Sequence, residues 1–165
     1  MLIHFILFNL LWLALVIYGN AAIILALLWL GAFAWNKKLT RHEFYLAAVI
    51  TFLGISIDNI LTVLGIFRFP NETFIPYWLI VLWACFSCLL LRAPQQLKTT
   101  RWLQVTLPMF FAPLSYFVGF QLSAVKFAWG VLPTMLLLSV IWPLFIMLAF
   151  SLENYLLHKE RHRVS

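Results

Sequence analysis

Apolar residues run along this chain in blocks of 15 or more, parted by short polar breaks. Strands buried on both faces stay apolar for only about 4–8 residues, and barrel strands alternate. The long blocks therefore predict helices that cross a bilayer. Six spans follow, at about Leu2–Tyr18, Ala21–Trp35, Phe44–Phe67, Ile75–Leu91, Trp102–Phe120 and Trp129–Leu148. The expected fold is an all-α membrane protein, a single bundle of six transmembrane helices. It forms one domain over residues 1–152, and a polar cytoplasmic tail covers 153–165.

The breaks carry their own signals. Gly19-Asn20 is all that parts the first two spans, which requires a tight hairpin. One long tilted helix would instead leave Asn20 deep in lipid. Each arm is short against the roughly 20 residues of a usual span. The first block has no Lys or Arg ahead of it, and hydrophobicity resumes after Asn20. It reads as a retained helix, not a cleaved signal peptide. Thr40 followed by Glu43 three residues later predicts a capping box at the start of the third span.

Composition supports this class. The chain is 65% hydrophobic and only 10% charged, where a soluble domain carries about 25% charge. Mean hydropathy is +1.01. The net charge of +6 does not point to nucleic acid, because no cation run is long enough to track a phosphate backbone. The cations sit instead at span ends. Three lie at 37–41, three at 92–101 and three at 159–163, against only Arg68 and Lys126 in the alternate loops. That bias predicts both termini on the cytoplasmic side. Trp35, Tyr45, Trp102 and Tyr155 would mark the inner boundary, and Tyr18, Tyr77, Trp78 and Trp129 the outer one. Trp12, Trp29, Trp83 and Trp142 fall deeper and are expected to pack between helices.

Asp58 is the one acidic residue deep in an apolar block. A charge at that depth is costly and calls for a partner or a task. Thr51, Gly54, Asp58, Thr62 and Gly65 are spaced by 3, 4, 4 and 3, so they share one helix face. Two readings stay open. The stripe is a packing seam, with Asp58 held by an interhelical hydrogen bond. Alternatively, Asp58 carries a proton, binds a cation or anchors a polar solute. Asn59 points away from the stripe towards a second contact. Arg68 and Lys126 would border an outer mouth, or simply be solvated. Pro113 and Pro143 each remove a helix donor and predict bends. Ser115 and Tyr116 lie beside the first of these and would form a polar wall. Gly65 before Arg68 and Gly119 before Lys126 differ in spacing, which reads as coincidence.

Little else suggests chemistry. Cys85 and Cys88 form a C-x-x-C in mid-span with no electropositive neighbour, which reads as small buried side chains. His4 needs only headgroups or water. Asn9 would tie the first helix to the bundle. His158 and His162 lie four apart in the tail. Motifs for zinc peptidases, dinucleotides, ATP or serine hydrolysis are absent. No catalytic residue, cofactor or metal is expected.

The segments LGISIDNILTVLGIFRFP, Trp78–Trp83 and PLSYFVGFQLSAV resemble a family of small bacterial inner-membrane proteins catalogued as a domain of unknown function. The elements that carry the likeness are Asp58, Arg68-Phe69-Pro70 and Pro113 to Gly119. The resemblance implies a multi-pass protein of the bacterial inner membrane with some connection to lipids. It supplies no catalytic residue. The expected role is non-enzymatic handling of a small or lipidic solute through a polar site at Asp58. The alternatives are an accessory subunit of a lipid-modifying complex and an intramembrane enzyme. Membrane lipids are the expected partners. A homo-oligomer or a membrane-protein partner stays open, and nucleic acid is excluded.

Overall fold

A computed structural model describes residues 2–37, 39–70 and 72–164, with the side chains of Leu2 and of residues 157–164 left out. The expectations for Lys38, Asn71, His158, His162 and the cations at 159–163 concern side chains outside that description. Six principal helices form the molecule: α1 (Leu2–Tyr18), α2 (Ile23–Lys37), α3 (Arg41–Val63), α4 (Tyr77–Leu90), α6 (Arg101–Gln121) and α7 (Val131–Val164). A five-residue helix, α5 (Gln95–Thr99), fills the loop before α6. Two short strands, β1 (Phe67–Arg68) and β2 (Lys126–Phe127), complete it.

α1 and α2 fold back on each other through a single 3-10 turn at Gly19–Ala22. Gly19 takes φ +55°, where a side chain would be strained. His4 meets Phe33 and Phe8 meets Trp29, ring on ring, so the start of α1 lies beside the end of α2. The expected hairpin is therefore present. Asn20 is exposed at the turn, and its side chain is partnered. Its Oδ1 accepts from the Trp78 N–H at 3.1 Å, which fastens the turn to the start of α4.

The expectation of six transmembrane helices is overturned. Four helical segments are long and apolar enough to cross a membrane: Ile3–Lys37, which takes in both α1 and α2, then Arg41–Val63, Arg101–Gln121 and Val131–Leu156. Length decides it. At 1.5 Å per residue the 17 residues of α1 and 15 of α2 rise about 25 and 22 Å. The 14 residues of α4 rise about 21 Å, short of a hydrocarbon core of about 30 Å. Burial explains why α4 is apolar but short. It is the shared neighbour of α1, α2 and α3, and Tyr77 is its only exposed residue. α7 packs along α6 and touches α3. The topology inferred from six crossings goes with the count. The charge asymmetry stays as a property of the bundle's two ends.

One end is basic and tied by ion pairs. Arg92 Nη1 meets Glu43 Oε1, and Lys98 Nζ meets Glu153 Oε1, each at 2.5 Å. The Thr40–Glu43 capping box is formed there. The Glu43 N–H donates to Thr40 Oγ1 and the Thr40 N–H to Glu43 Oε2. The other end is closed by backbone. α3 stops at Val63 rather than Phe67, because Gly65 turns the chain at φ +72°. Phe67 and Arg68 then pair antiparallel with Phe127 and Lys126. Phe67 stacks on Phe127, and Phe127 on Phe120. α7 continues without a break past Glu153, so the expected tail begins as helix.

Candidate functional site

α3 brings Asp58 to the centre of the bundle because it lies on the helix face that carries Ile50, Gly54 and Leu61 inward, opposite the exposed Phe44, Val49, Phe52, Ile60 and Val63. The residue is 0% exposed. Its Oδ2 accepts from Trp83 Nε1 of α4 at 2.7 Å. Its Oδ1 accepts from the Tyr116 hydroxyl of α6 at 2.8 Å. Three helices thus meet at one carboxyl group, and no cation reaches it among the described residues. Both donors are uncharged side chains.

Gly54 makes the first of these contacts possible. It lies one turn from Asp58 on the same face, and a Cβ there would overlap the indole of Trp83. The missing side chain lets the indole lie against α3 and aim its N–H at the carboxylate. Trp142 of α7 stacks on the other side, with centroids 5.4 Å apart and planes 12° from parallel. Phe86 and Phe145 meet Trp83 edge-on. Trp83 is therefore fixed on every side by packing, and its one polar atom is satisfied.

Tyr116 is held differently. Its ring stacks on Phe67 of β1 at 5.3 Å, and Phe67 is fully buried under the strand pair. The ladder end of the bundle thus sits on the ring whose hydroxyl meets Asp58.

The other expected site residues spread out. Thr51 shares a 2.7 Å hydrogen bond with Ser87 of α4. It belongs to the same α3–α4 seam as Asp58. Thr62 Oγ1 donates to the Asp58 backbone carbonyl, not to its side chain. Asn59 Oδ1 accepts from the Ile75 N–H at 3.3 Å and secures the loop before α4. Ser115 donates to Ala112 O of its own helix. Gly65 leaves the stripe because it lies beyond the end of α3. Arg68 and Lys126 are exposed, and they face each other as register partners of the ladder. α6 and α7 run on through Pro113 and Pro143. Asn9 donates to Phe5 O within α1 rather than to another helix.

Sequence reasoning missed Trp83 as a functional residue, placing it only among the packing tryptophans. The available signal was its N–H, a donor that needs an acceptor at depth. Asp58 is the one deep carboxylate that could supply it.

The Asp58 side chain is closed off from the surface. A surface cleft of about 320 Å³ at the ladder end lies between the α1–α2 turn and Phe69, Glu72, Trp78 and Ser123. A second, of about 250 Å³, lies at the basic end beside Gln104. Neither reaches Asp58. Among the described residues no three His, Cys, Asp or Glu side chains gather as a metal site would require.

These helices and their buried polar and aromatic network make the chain a multi-pass membrane protein with an internal polar centre. No curated protein and no solved structure matches it. A family model described as "Protein of unknown function (DUF2878)" matches residues 1–148, which include every helix that builds the Asp58 centre, and the chain belongs to that family.

Proposed function

We propose that the protein handles a small or lipidic solute in the bacterial inner membrane, without enzymatic chemistry, and that Asp58 is the proton-carrying group of that process. The observation that carries this reading is a fully buried carboxyl group with two neutral donors and, among the described residues, no cation. Such a group has somewhere to put a proton. Trp83 can only donate, but a tyrosine hydroxyl both donates and accepts. With Asp58 ionised, Tyr116 donates to it. With Asp58 protonated, its O–H can donate to the Tyr116 oxygen. Either state leaves the carboxyl group partnered. The fully buried arrangement then corresponds to a closed form, and access would require Trp83 or Tyr116 to part from the carboxyl group.

Arg68 and Lys126 would form the charged border at the ladder end. Thr51 and Ser87 would extend the polar seam on the other side of Gly54. Asn59 and Thr62 support the backbone around Asp58, and Ser115 has no direct part.

A second reading is favoured by the same packing. Both carboxylate oxygens are occupied and the side chain is fully buried, as expected of a structural tie in an accessory subunit. Proteoliposomes holding a pH-sensitive dye separate the two. On the proposed reading, wild-type protein moves protons across the bilayer. Asp58→Asn stops that movement but keeps a cooperative thermal transition. On the structural reading, wild type moves none and the variant unfolds early.

A further inference from the structure

The cleft at the basic end contains an acceptor that the protein leaves unused. Gln104 of α6 is 2% exposed. Its Nε2 donates to Leu97 O at 3.1 Å and to Lys98 O at 2.7 Å, which fixes the amide's orientation. Its Oε1 is buried and has no hydrogen-bond partner among the described residues. An unmet buried acceptor is unfavourable, so a donor supplied from outside would be welcome there.

The rest of the cleft prefers an anion. Apart from Phe150, its lining is polar: Lys98, Thr99, Arg101, Gln104, Ser151 and Asn154. Glu153 and Leu91 O already take the Lys98 ammonium. Arg101 is exposed and has no ion-pair partner among the described residues. It is the first residue of α6, a helix of 21 residues whose N-cap, Thr100, makes no side-chain capping bond. A helix N-terminus with an arginine on it favours phosphate. Trp102 and Tyr155, next in sequence to the lining residues Arg101 and Asn154, are 64% and 63% exposed. Exposed aromatics of this kind lie at headgroup depth in membrane proteins.

We propose that this cleft binds a phosphate ester with a neighbouring hydroxyl, the chemistry of a phosphoglycerol headgroup. The phosphate sits on Arg101 and the first turn of α6, and the hydroxyl donates to Gln104 Oε1. Phosphatidylglycerol and free glycerol phosphate share that chemistry. The site is separate from Asp58 and does not depend on its role.

Native mass spectrometry of the full chain, released from nanodiscs of equal phosphatidylglycerol and phosphatidylcholine, tests the proposal. Wild type is expected to retain phosphatidylglycerol about 10-fold over phosphatidylcholine, a preference of about 1.4 kcal/mol. Arg101→Ala should cut that preference about fivefold or more. Arg41→Ala, which removes an exposed cation of the same end that does not line the cleft, should leave it unchanged. Gln104→Glu places negative charge against the phosphate and serves as the second variant should the first not fold. A second arm adds soluble glycerol phosphate to detergent-purified protein and follows its unfolding temperature. Retention of the lipid with no response to the soluble ester assigns the site to lipid. A rise in unfolding temperature that the variants lose, without lipid preference, assigns it to the free ester. Equal retention of both lipids with no response to the ester overturns the proposal. So does an effect that survives both substitutions.

Discussion

Asp58 in the bundle interior and the pair Glu43 and Glu153 at the basic end are held in opposite ways. The two glutamates meet cations, Arg92 and Lys98, at partly exposed positions. Among the described residues the Asp58 carboxyl group is hydrogen-bonded only to an indole N–H and a phenol, and it is fully buried. Two water-accessible ion pairs stabilise little and weaken as salt rises. A buried carboxyl group with neutral donors is insensitive to salt and depends on geometry. It can also exchange a proton without leaving an orphaned cation in the apolar core. The comparison teaches that the molecule keeps charge pairing for its end and directional hydrogen bonding for its centre.

That contrast can be broken from the centre outwards. The largest effect is expected from Gly54→Leu, which drives a side chain into the Trp83 indole. It should cost about 3 kcal/mol and detach Trp83 from Asp58, read as an earlier unfolding midpoint in detergent with an altered tryptophan emission. Trp83→Phe keeps most of the ring packing but removes the donor to Asp58 Oδ2. A loss of about 2 kcal/mol, unchanged between low and high salt, is expected in the same unfolding assay. Thr40→Ala removes half of the capping box at the basic end. It should cost about 1 kcal/mol, visible as faster amide exchange in the first turn of α3. Arg92→Ala should cost least, under about 1 kcal/mol, and the difference from wild type should shrink as salt is added. A Trp83→Phe effect that vanished in salt, or an Arg92→Ala effect that did not, would dissolve the distinction between centre and end.

Much of the fold was legible because it follows from local rules. The apolar blocks found every principal helix. The Gly19-Asn20 break located the hairpin, and Thr40 with Glu43 located a helix start. What periodicity cannot give is whether a short apolar helix crosses the bilayer or lies inside a bundle. α4 reads as a span by composition, yet its neighbours cover it and it is too short. The strand pair was hidden for a different reason. Each strand has two residues, and the partners lie 58 to 60 positions apart in sequence. The matched glycine–cation endings of the third and fifth spans read as coincidence, yet Arg68 and Lys126 stand opposite each other.

The candidate site was half legible. Asp58 and Tyr116 were both singled out, and the structure joins them. Gly54 fitted the stripe, and its reason is the indole that covers it. Trp83 was missed as a partner because a one-dimensional reading cannot say at which depth two helices bring side chains face to face. Ser115 satisfied itself on its own helix, as serine in a helix often does.

The most direct test of the central claim is infrared spectroscopy of the protein in lipid across a pH titration, following the carboxylic acid carbonyl band. The account predicts a titrating band that is absent in Asp58→Asn and shifted in both Trp83→Phe and Tyr116→Phe, since each removes one hydrogen bond to the group. Identical spectra for wild type and Asp58→Asn throughout the titration would contradict it.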